Sequence, residues 1–299
     1  MKHSIIIYMM LLLVPLGCAR QENTNENEGS SIDLDISLSA TEASRQATSA
    51  LDFSSFGNSH DAAMDYVAAM PGFATASLQQ IYNYVNSYSD SVTAPGNCGC
   101  DTWQDQANHM NEIEFMVEHP AHASTALVSM GMIDPEDMAL TDQFFAILDN
   151  AASYPNMTYQ SVEEFTTEVE LFESYILANH PVVYDPVVKT GNHAAVLLGA
   201  CAIVKNSYAY WIDAATNTSH PWHDRVVNQT FFGANSATVA GSTNLERGIF
   251  GDIWRGIKRA FVDAAGFVVG GNCGGILDKN GRDVGCAVRH AGRKSSGVR

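Results

Sequence analysis

Residues 194–204, Ala-Ala-Val-Leu-Leu-Gly-Ala-Cys-Ala-Ile-Val, form an uninterrupted apolar run. Lys205 and Asn206 follow it, and apolar side chains then resume at Tyr208, Tyr210, Trp211 and Ile212. A helix that is apolar on all sides lies in the core of a protein or in a membrane. The run is shorter than the ~20 residues that span a bilayer. It therefore predicts the central, buried helix of a bundle.

Helical periodicity precedes the run. Apolar residues recur every three or four positions in segments near 59–70, 77–88, 102–119, 138–152 and 161–179. Residues 59–61, Ser-His-Asp, can cap the first segment, and Ser161 with Glu164 forms a capping box for the last. Pro135 lies in the first turn of the fourth, where proline is favoured. Strand signals are sparse, so the body is predicted to be α-helical.

The C-terminal part contains a second apolar pattern. Ile253, Trp254, Ile257 and Phe261 follow helical spacing, and the basic residues between them are Arg255, Lys258 and Arg259. Such an amphipathic helix docks on the protein's own core, lies in a membrane interface or binds a partner. Docking is favoured, because the acidic body supplies a complementary surface.

A hairpin is expected after this helix. Residues 276–284 contain Asn280-Gly281 between two short runs, which is the strongest short hairpin signal. The predicted fold is thus mainly α, a helical bundle with a C-terminal amphipathic helix and a short β-hairpin. Its predicted parts are an acidic α-helical domain at 46–230 and a basic region at 231–299 packed on it.

Charge is distributed unevenly along the chain. The net charge is −17, and the span from Gln46 to Val188 contains twenty acidic residues and no Lys or Arg. From Arg247 to the C-terminus there are ten basic residues and four acidic ones. A negative field of this size repels nucleic acid, so DNA or RNA binding is not expected. Attraction between the two parts of one molecule is favoured over an outside partner.

Five cysteines follow Cys18. Cys273 and Cys286 flank the predicted hairpin and are the most natural disulfide pair, because the turn brings them near each other. Cys98 and Cys100 lie in a predicted loop, where one bonds Cys201 or both bind a metal ion. An odd number leaves at least one thiol free or paired elsewhere.

Two segments repeat the pattern His-Pro-x-His. They place His119 with His122 and His220 with His223, and the proline in each favours a loop or a helix start. Four imidazoles, or three with Glu118 or Asp224, would suit zinc. The alternative, polar loop and cap residues without a metal, is favoured because no HExxH or paired CxxC accompanies them. With no other catalytic motif, a non-enzyme is expected.

The N-terminus reads as an export signal. Lys2 precedes an apolar run from Ile5 to Leu13, which ends at Leu16-Gly17-Cys18. This segment resembles the signal of bacterial lipoproteins, which implies cleavage after residue 17 and lipidation of Cys18. Residues 18–45 are polar and are expected to form a flexible tether.

These observations predict a lipid-anchored protein of the bacterial cell envelope, facing outside the cytoplasm. Its expected role is binding or structural, with an envelope partner of unknown identity and no cofactor. Two alternatives remain. One is a metal-dependent enzyme that uses the two His-Pro-x-His loops with zinc, and the other is a membrane-active protein that acts through its C-terminal helix.

Overall fold

The computed structural model describes residues 53–92, 112–113, 115–153, 158–185, 190–228, 249–272, 282–283 and 291. The predicted signal peptide, tether and Cys18 lie outside these ranges, as do Cys98, Cys100, Cys273 and Cys286. Within the described residues the protein is mainly α-helical with short antiparallel strands, which confirms the predicted fold class.

The α-helices are α1 Ser54–Ala68, α2 Leu78–Val92, α3 Ala123–Ser129, α4 Met138–Ala151, α5 Val162–Asn179, α6 His193–Thr216, α7 His223–Asn228 and α8 Ile249–Asn272. Residues 112–113 and 115–118 are also helical. Short 3₁₀ turns occupy Phe73–Thr75, Pro120–His122 and Pro135–Asp137. The last two turns lead directly into α3 and α4. Each begins with a proline, Pro120 or Pro135, which is well suited to a first helical turn.

The strands are two residues long. β1 Ala152–Ser153 pairs with β2 Thr158–Tyr159, and a second sheet has the order β3 Tyr184–Asp185, β4 Thr190–Gly191, β5 Arg282–Asp283. Strand β5 belongs to the predicted C-terminal hairpin and pairs with β4. The Asn280-Gly281 turn lies outside the described residues.

Helix α6 is the centre of the described structure. It packs against α1, α5, α7 and α8, and every residue from His193 to Val204 is buried. Asn192 caps it by accepting a hydrogen bond from the Ala195 N–H at 3.2 Å. Of the described helices, α6 is the one long and apolar enough to cross a membrane, and 72% of its apolar window is buried. The predicted central helix is confirmed.

Three glycines let the helices around α6 approach closely. A Cβ on Gly199 of α6 would lie 2.5 Å from the Phe267 ring of α8. One on Gly256 of α8 would lie 2.5 Å from the Trp211 carbonyl oxygen, and one on Gly57 of α1 would meet the backbone of α6 at the same distance. Helix α8 therefore lies along α6 with little side chain between the backbones.

The sequence located one helix start correctly and one wrongly. Ser161 and Glu164 form the predicted capping box, with reciprocal hydrogen bonds of 3.2 and 2.8 Å. The predicted cap at residues 59–61 is wrong, because α1 begins at Ser54 and His60 lies within it. Phe56 extends the buried stripe of α1 by one turn at four-residue spacing, so the helix starts earlier.

Candidate functional site

Five polar or charged side chains meet in the core between α1, α6 and α8. This buried network consists of His60, Ser207, Trp211, Arg259 and Asp263, each of which is at most 1% exposed. Buried charges are rare unless they are paired. A buried cluster of this kind is therefore unusual in the core of the described residues.

Asp263 is the acceptor of the network. Its Oδ2 accepts hydrogen bonds from Ser207 Oγ at 2.7 Å and Trp211 Nε1 at 2.8 Å, and it lies 3.3 Å from His60 Nε2. Its Oδ1 has no hydrogen-bond partner among the described residues. One carboxylate thus joins side chains from α1 and α6 to α8.

His60 is a buried cation. Burial alone would lower the pKa of its imidazole, but Asp263 and Asp61 outweigh it and raise the pKa to about 10. Its Nδ1 lies 3.2 Å from Asp61 Oδ1 on the side opposite Asp263. The imidazolium therefore lies between two carboxylates at neutral pH.

Two arginines extend the network to α7. The Arg259 guanidinium lies 4.9 Å from the centre of a Trp211 ring and donates to the Arg225 carbonyl oxygen at 3.2 Å. Burial lowers the pKa of Arg259, and Asp263 opposes this shift. Arg225 donates to the carbonyl oxygens of Phe73 and Ala76 at 2.7 and 2.6 Å. Backbone groups before α2 are thereby linked to α7 and α8.

The Ser207, His60 and Asp263 side chains do not form a hydrolytic triad. Ser207 Oγ lies 3.2 Å from His60 Nδ1 but donates its proton to Asp263 at 2.7 Å, whereas a nucleophilic serine donates to a neutral imidazole. His60 is already protonated, so it cannot accept that proton. All three residues are 0% exposed, which denies them contact with a substrate. The buried network is a structural element.

An open cleft lies beside the network. We call it the α1–α5–α6 cleft, after the helices that contribute its walls. It has a volume of about 630 Å³ and is lined by Asp61, Val162, Thr166, Glu170, Lys205, Asn206, Ala209 and Tyr210.

Polar contacts hold the α6 side of the cleft in place. Asn206 Nδ2 donates to Asp61 Oδ2 at 3.3 Å, and the Tyr210 hydroxyl donates to Asp65 Oδ1 at 3.0 Å. Lys205 Nζ donates to Glu173 Oε2 at 2.7 Å. These bonds connect α6 to α1 and α5, so the cleft walls are fixed relative to one another.

Acidic groups dominate the electrostatics of the cleft. Burial raises the pKa of Tyr210, and the Asp65 and Asp61 carboxylates raise it further. Burial also raises the pKa of Glu173; Lys205 opposes this rise and Glu170 adds to it. Burial is the main cause of both shifts, and the neighbouring carboxylates add to it.

The four predicted metal-binding histidines lie in two places. His119 and His122 bound the turn before α3, while His220 and His223 lie around the start of α7. His220 Nδ1 accepts from the Trp222 N–H at 3.2 Å, and His223 Nδ1 lies 3.0 Å from the Ala214 carbonyl oxygen. Among the described residues, no group of three or more His, Cys, Asp or Glu side chains is arranged to hold a metal ion.

The predicted membrane or partner residues of the C-terminal helix face the core. Ile253, Ile257 and Phe261 of α8 are at most 5% exposed, while the Trp254 side chain lies outside the described part. Lys258 Nζ lies 3.9 Å from Glu118 Oε1. In this conformation the apolar face of α8 is occupied by the protein itself.

Cys201 is the one cysteine among the described residues. Its thiol is free and fully buried in α6, and burial raises its pKa well above the usual value. A buried thiol with a raised pKa is a poor nucleophile and metal ligand, because both roles need the thiolate.

Sequence reasoning missed the buried network and the cleft. Asp263 interrupts an apolar stretch of α8 and Ser207 interrupts one of α6, so each was a visible exception to its pattern. The cleft has no such signal, because its lining comes from three separate helices. Comparison with protein-family models, curated proteins and solved structures gives no match.

Proposed function

We propose that this protein is a lipid-anchored binding protein of the bacterial cell envelope and that the α1–α5–α6 cleft is its binding site. The N-terminal segment supports the location in the cell envelope, since it is typical of an exported chain that is lipidated at Cys18. The cleft carries the binding role, because it is an open concavity of about 630 Å³ whose lining combines carboxylate, amide and hydroxyl groups from three helices.

Binding is a better match to this cleft than catalysis. Among the described residues that line it, Lys205 is ion-paired with Glu173 and burial raises the pKa of Tyr210, so neither side chain is activated as a nucleophile. Four of its polar side chains, Asp61, Lys205, Asn206 and Tyr210, are held by neighbours on adjacent helices. A fixed polar surface recognises a ligand without rearrangement, which lowers the entropic cost of binding.

The anchor is tested by Cys18→Ser. The variant should move from the membrane fraction to the soluble fraction, because no other residue of the signal can carry the lipid. A variant that stays in the membrane fraction would overturn the lipid anchor and leave the cleft open to a separate test.

The binding site is tested by photo-crosslinking in the cells that produce the protein. A photoreactive residue at Thr166 lies in the cleft, whereas one at the neighbouring Thr167 lies on the exposed face of α5. We expect a discrete adduct from position 166 that is absent from position 167. The same adducts from both positions, or none from position 166, would refute the cleft as the binding site.

A further inference from the structure

We infer that the ligand of the α1–α5–α6 cleft is a cationic segment of another polypeptide, which places Lys or Arg side chains among the carboxylates of the cleft. The inference rests on the proposed binding function and names the chemistry of its partner. Three features of the molecule favour such a ligand: the charge of the lining, the openness of the cleft and the flank of α5 beside it.

The lining offers carboxylates to a cation. Glu170 lines the cleft and has no hydrogen bond or ion pair among the described residues. Asp61 is 27% exposed in its side chain, although it also contacts His60. The one basic residue of the lining, Lys205, is paired with Glu173. An incoming ammonium or guanidinium group would therefore meet negative charge that is only partly neutralised.

The sequence of the helices around the cleft also favours a negative charge. No Lys or Arg occurs between residues 46 and 188, which includes all of α1 and α5. The His60 imidazolium beside Asp61 is therefore the one cation that α1 and α5 bring to the cleft. A field of one sign over a cleft attracts ligands of the opposite sign and speeds their association.

The shape of the cleft favours a polypeptide over a small cation. Sites for small molecules bury most of the ligand surface, whereas this cleft is broad and open to solvent. Val162, Thr166 and Glu170 follow one another at four-residue spacing, so they share one flank of α5. Leu177 lies two turns beyond Glu170 on that flank.

Apolar side chains on this flank give the partner a second kind of contact. Val162 is 36% exposed and Leu177 is 41% exposed, at opposite ends of α5. They are separated by about 22 Å along the helix at 1.5 Å per residue. A small amine cannot reach both, while a peptide with alternating basic and apolar residues can.

The test measures binding of defined peptides to the full chain with its Cys18→Ser change, which keeps it soluble. The probes are a ten-residue peptide of alternating Lys and Leu, the same peptide with Glu in place of Lys, spermidine and Ca²⁺. We expect calorimetry to show binding of the Lys peptide, no binding of the Glu peptide, and weakening with added salt. Equal or tighter binding of spermidine or Ca²⁺ would overturn the inference that the ligand is a polypeptide.

Variants separate the cleft from general attraction between charges. Glu170→Gln should weaken binding of the Lys peptide by about 3- to 10-fold. Glu163→Gln removes the same charge from the same helix at a position that does not line the cleft, and it should weaken binding less than about 2-fold. Equal losses in the two variants would refute a specific site.

A second substitution strengthens the test. Ala209→Lys adds a cation to the lining on α6 and should abolish binding of the Lys peptide, while the helix and its melting temperature are retained. Undiminished binding would overturn the inference. If Thr166 forms its adduct but no cationic probe binds, the proposed function stands and the cationic ligand is wrong. Failure of the Thr166 adduct refutes both.

Discussion

The buried network and the α1–α5–α6 cleft are both rich in charged groups, and they share a border at His60 and Asp61. In the network, charges are fully buried and held against one another, with the pKa of His60 raised to about 10. In the cleft, Glu170 remains accessible and makes no ion pair within the described structure. The two regions thus use the same residue types for opposite purposes.

The difference teaches that the most perturbed ionisable group need not mark the functional site. Perturbed pKa values are enriched at active sites, but structural ion pairs perturb them too. Access to solvent separates the two cases here. The network is expected to govern stability, whereas the cleft is expected to govern binding.

The strongest way to break this comparison is Asp263→Ala. The change removes the buried partner of His60 and the negative charge that favours the charged form of Arg259, which should cost about 3–5 kcal/mol of unfolding free energy. Urea denaturation measures the loss. Asp252→Ala on the same helix removes a partly exposed partner of Arg255 and should cost less than about 1 kcal/mol. Similar losses in both would mean that burial does not distinguish Asp263.

The pH dependence of stability tests His60. Its folded pKa of about 10 lies above the unfolded value near 6.5, so its contribution is complete below pH 6.5 and is lost as the pH rises toward 10. Relative to His60→Gln, the wild-type protein should lose up to about 1.4 kcal/mol per pH unit in this window. Unfolding in urea between pH 6 and 9 measures the difference. A constant difference would show that His60 is not a buried cation.

Gly256→Ala tests the spacing that the network needs. The new Cβ would meet the Trp211 carbonyl oxygen at 2.5 Å, and a backbone atom cannot rotate away. We expect a loss of about 1–3 kcal/mol, although Ala is otherwise the better helix former by about 1 kcal/mol. Thermal and urea unfolding measure whether the substitution lowers or raises the free energy of unfolding. Stabilisation would show that α6 and α8 can separate without disturbing the core.

The smallest effect on stability is expected from the cleft. Glu170→Gln should change the unfolding free energy by no more than about 0.5 kcal/mol, because the side chain is exposed and makes no ion pair among the described residues. Urea denaturation at pH 7 measures it beside the Asp263 variant. A loss of about 2 kcal/mol or more would show that the Glu170 side chain has a structural role.

Local patterns in the sequence predicted most of the helices. The apolar run at 194–204 identified the buried centre of α6, and Ser161 with Glu164 identified the start of α5. These features depend on neighbours within a few residues, which is the range of helical periodicity and capping. The two-residue strands β1 and β2 were missed, because so short a strand has no alternating pattern.

The candidate site could not be predicted from such local patterns. Asp61, Glu170 and Asn206 come from three helices, and only the packing of α1 and α5 against α6 places them around one cleft. The sequence predicts a helix cap at residues 59–61, whereas His60 lies inside α1. Its burial beside Asp263, two hundred residues away, depends on the tertiary fold and has no signature in the local sequence.

The absence of Lys and Arg between residues 46 and 188 also determines how the protein meets proteases. Trypsin-like enzymes need a basic residue before the bond that they cut, so helices α1 to α5 offer them none. Among the later basic residues, Arg225 and Arg259 are buried. The α1 and α5 walls of the cleft thus contain no such bond, whereas the α6 wall contains Lys205, and complete tryptic digestion would leave 46–189 as one fragment.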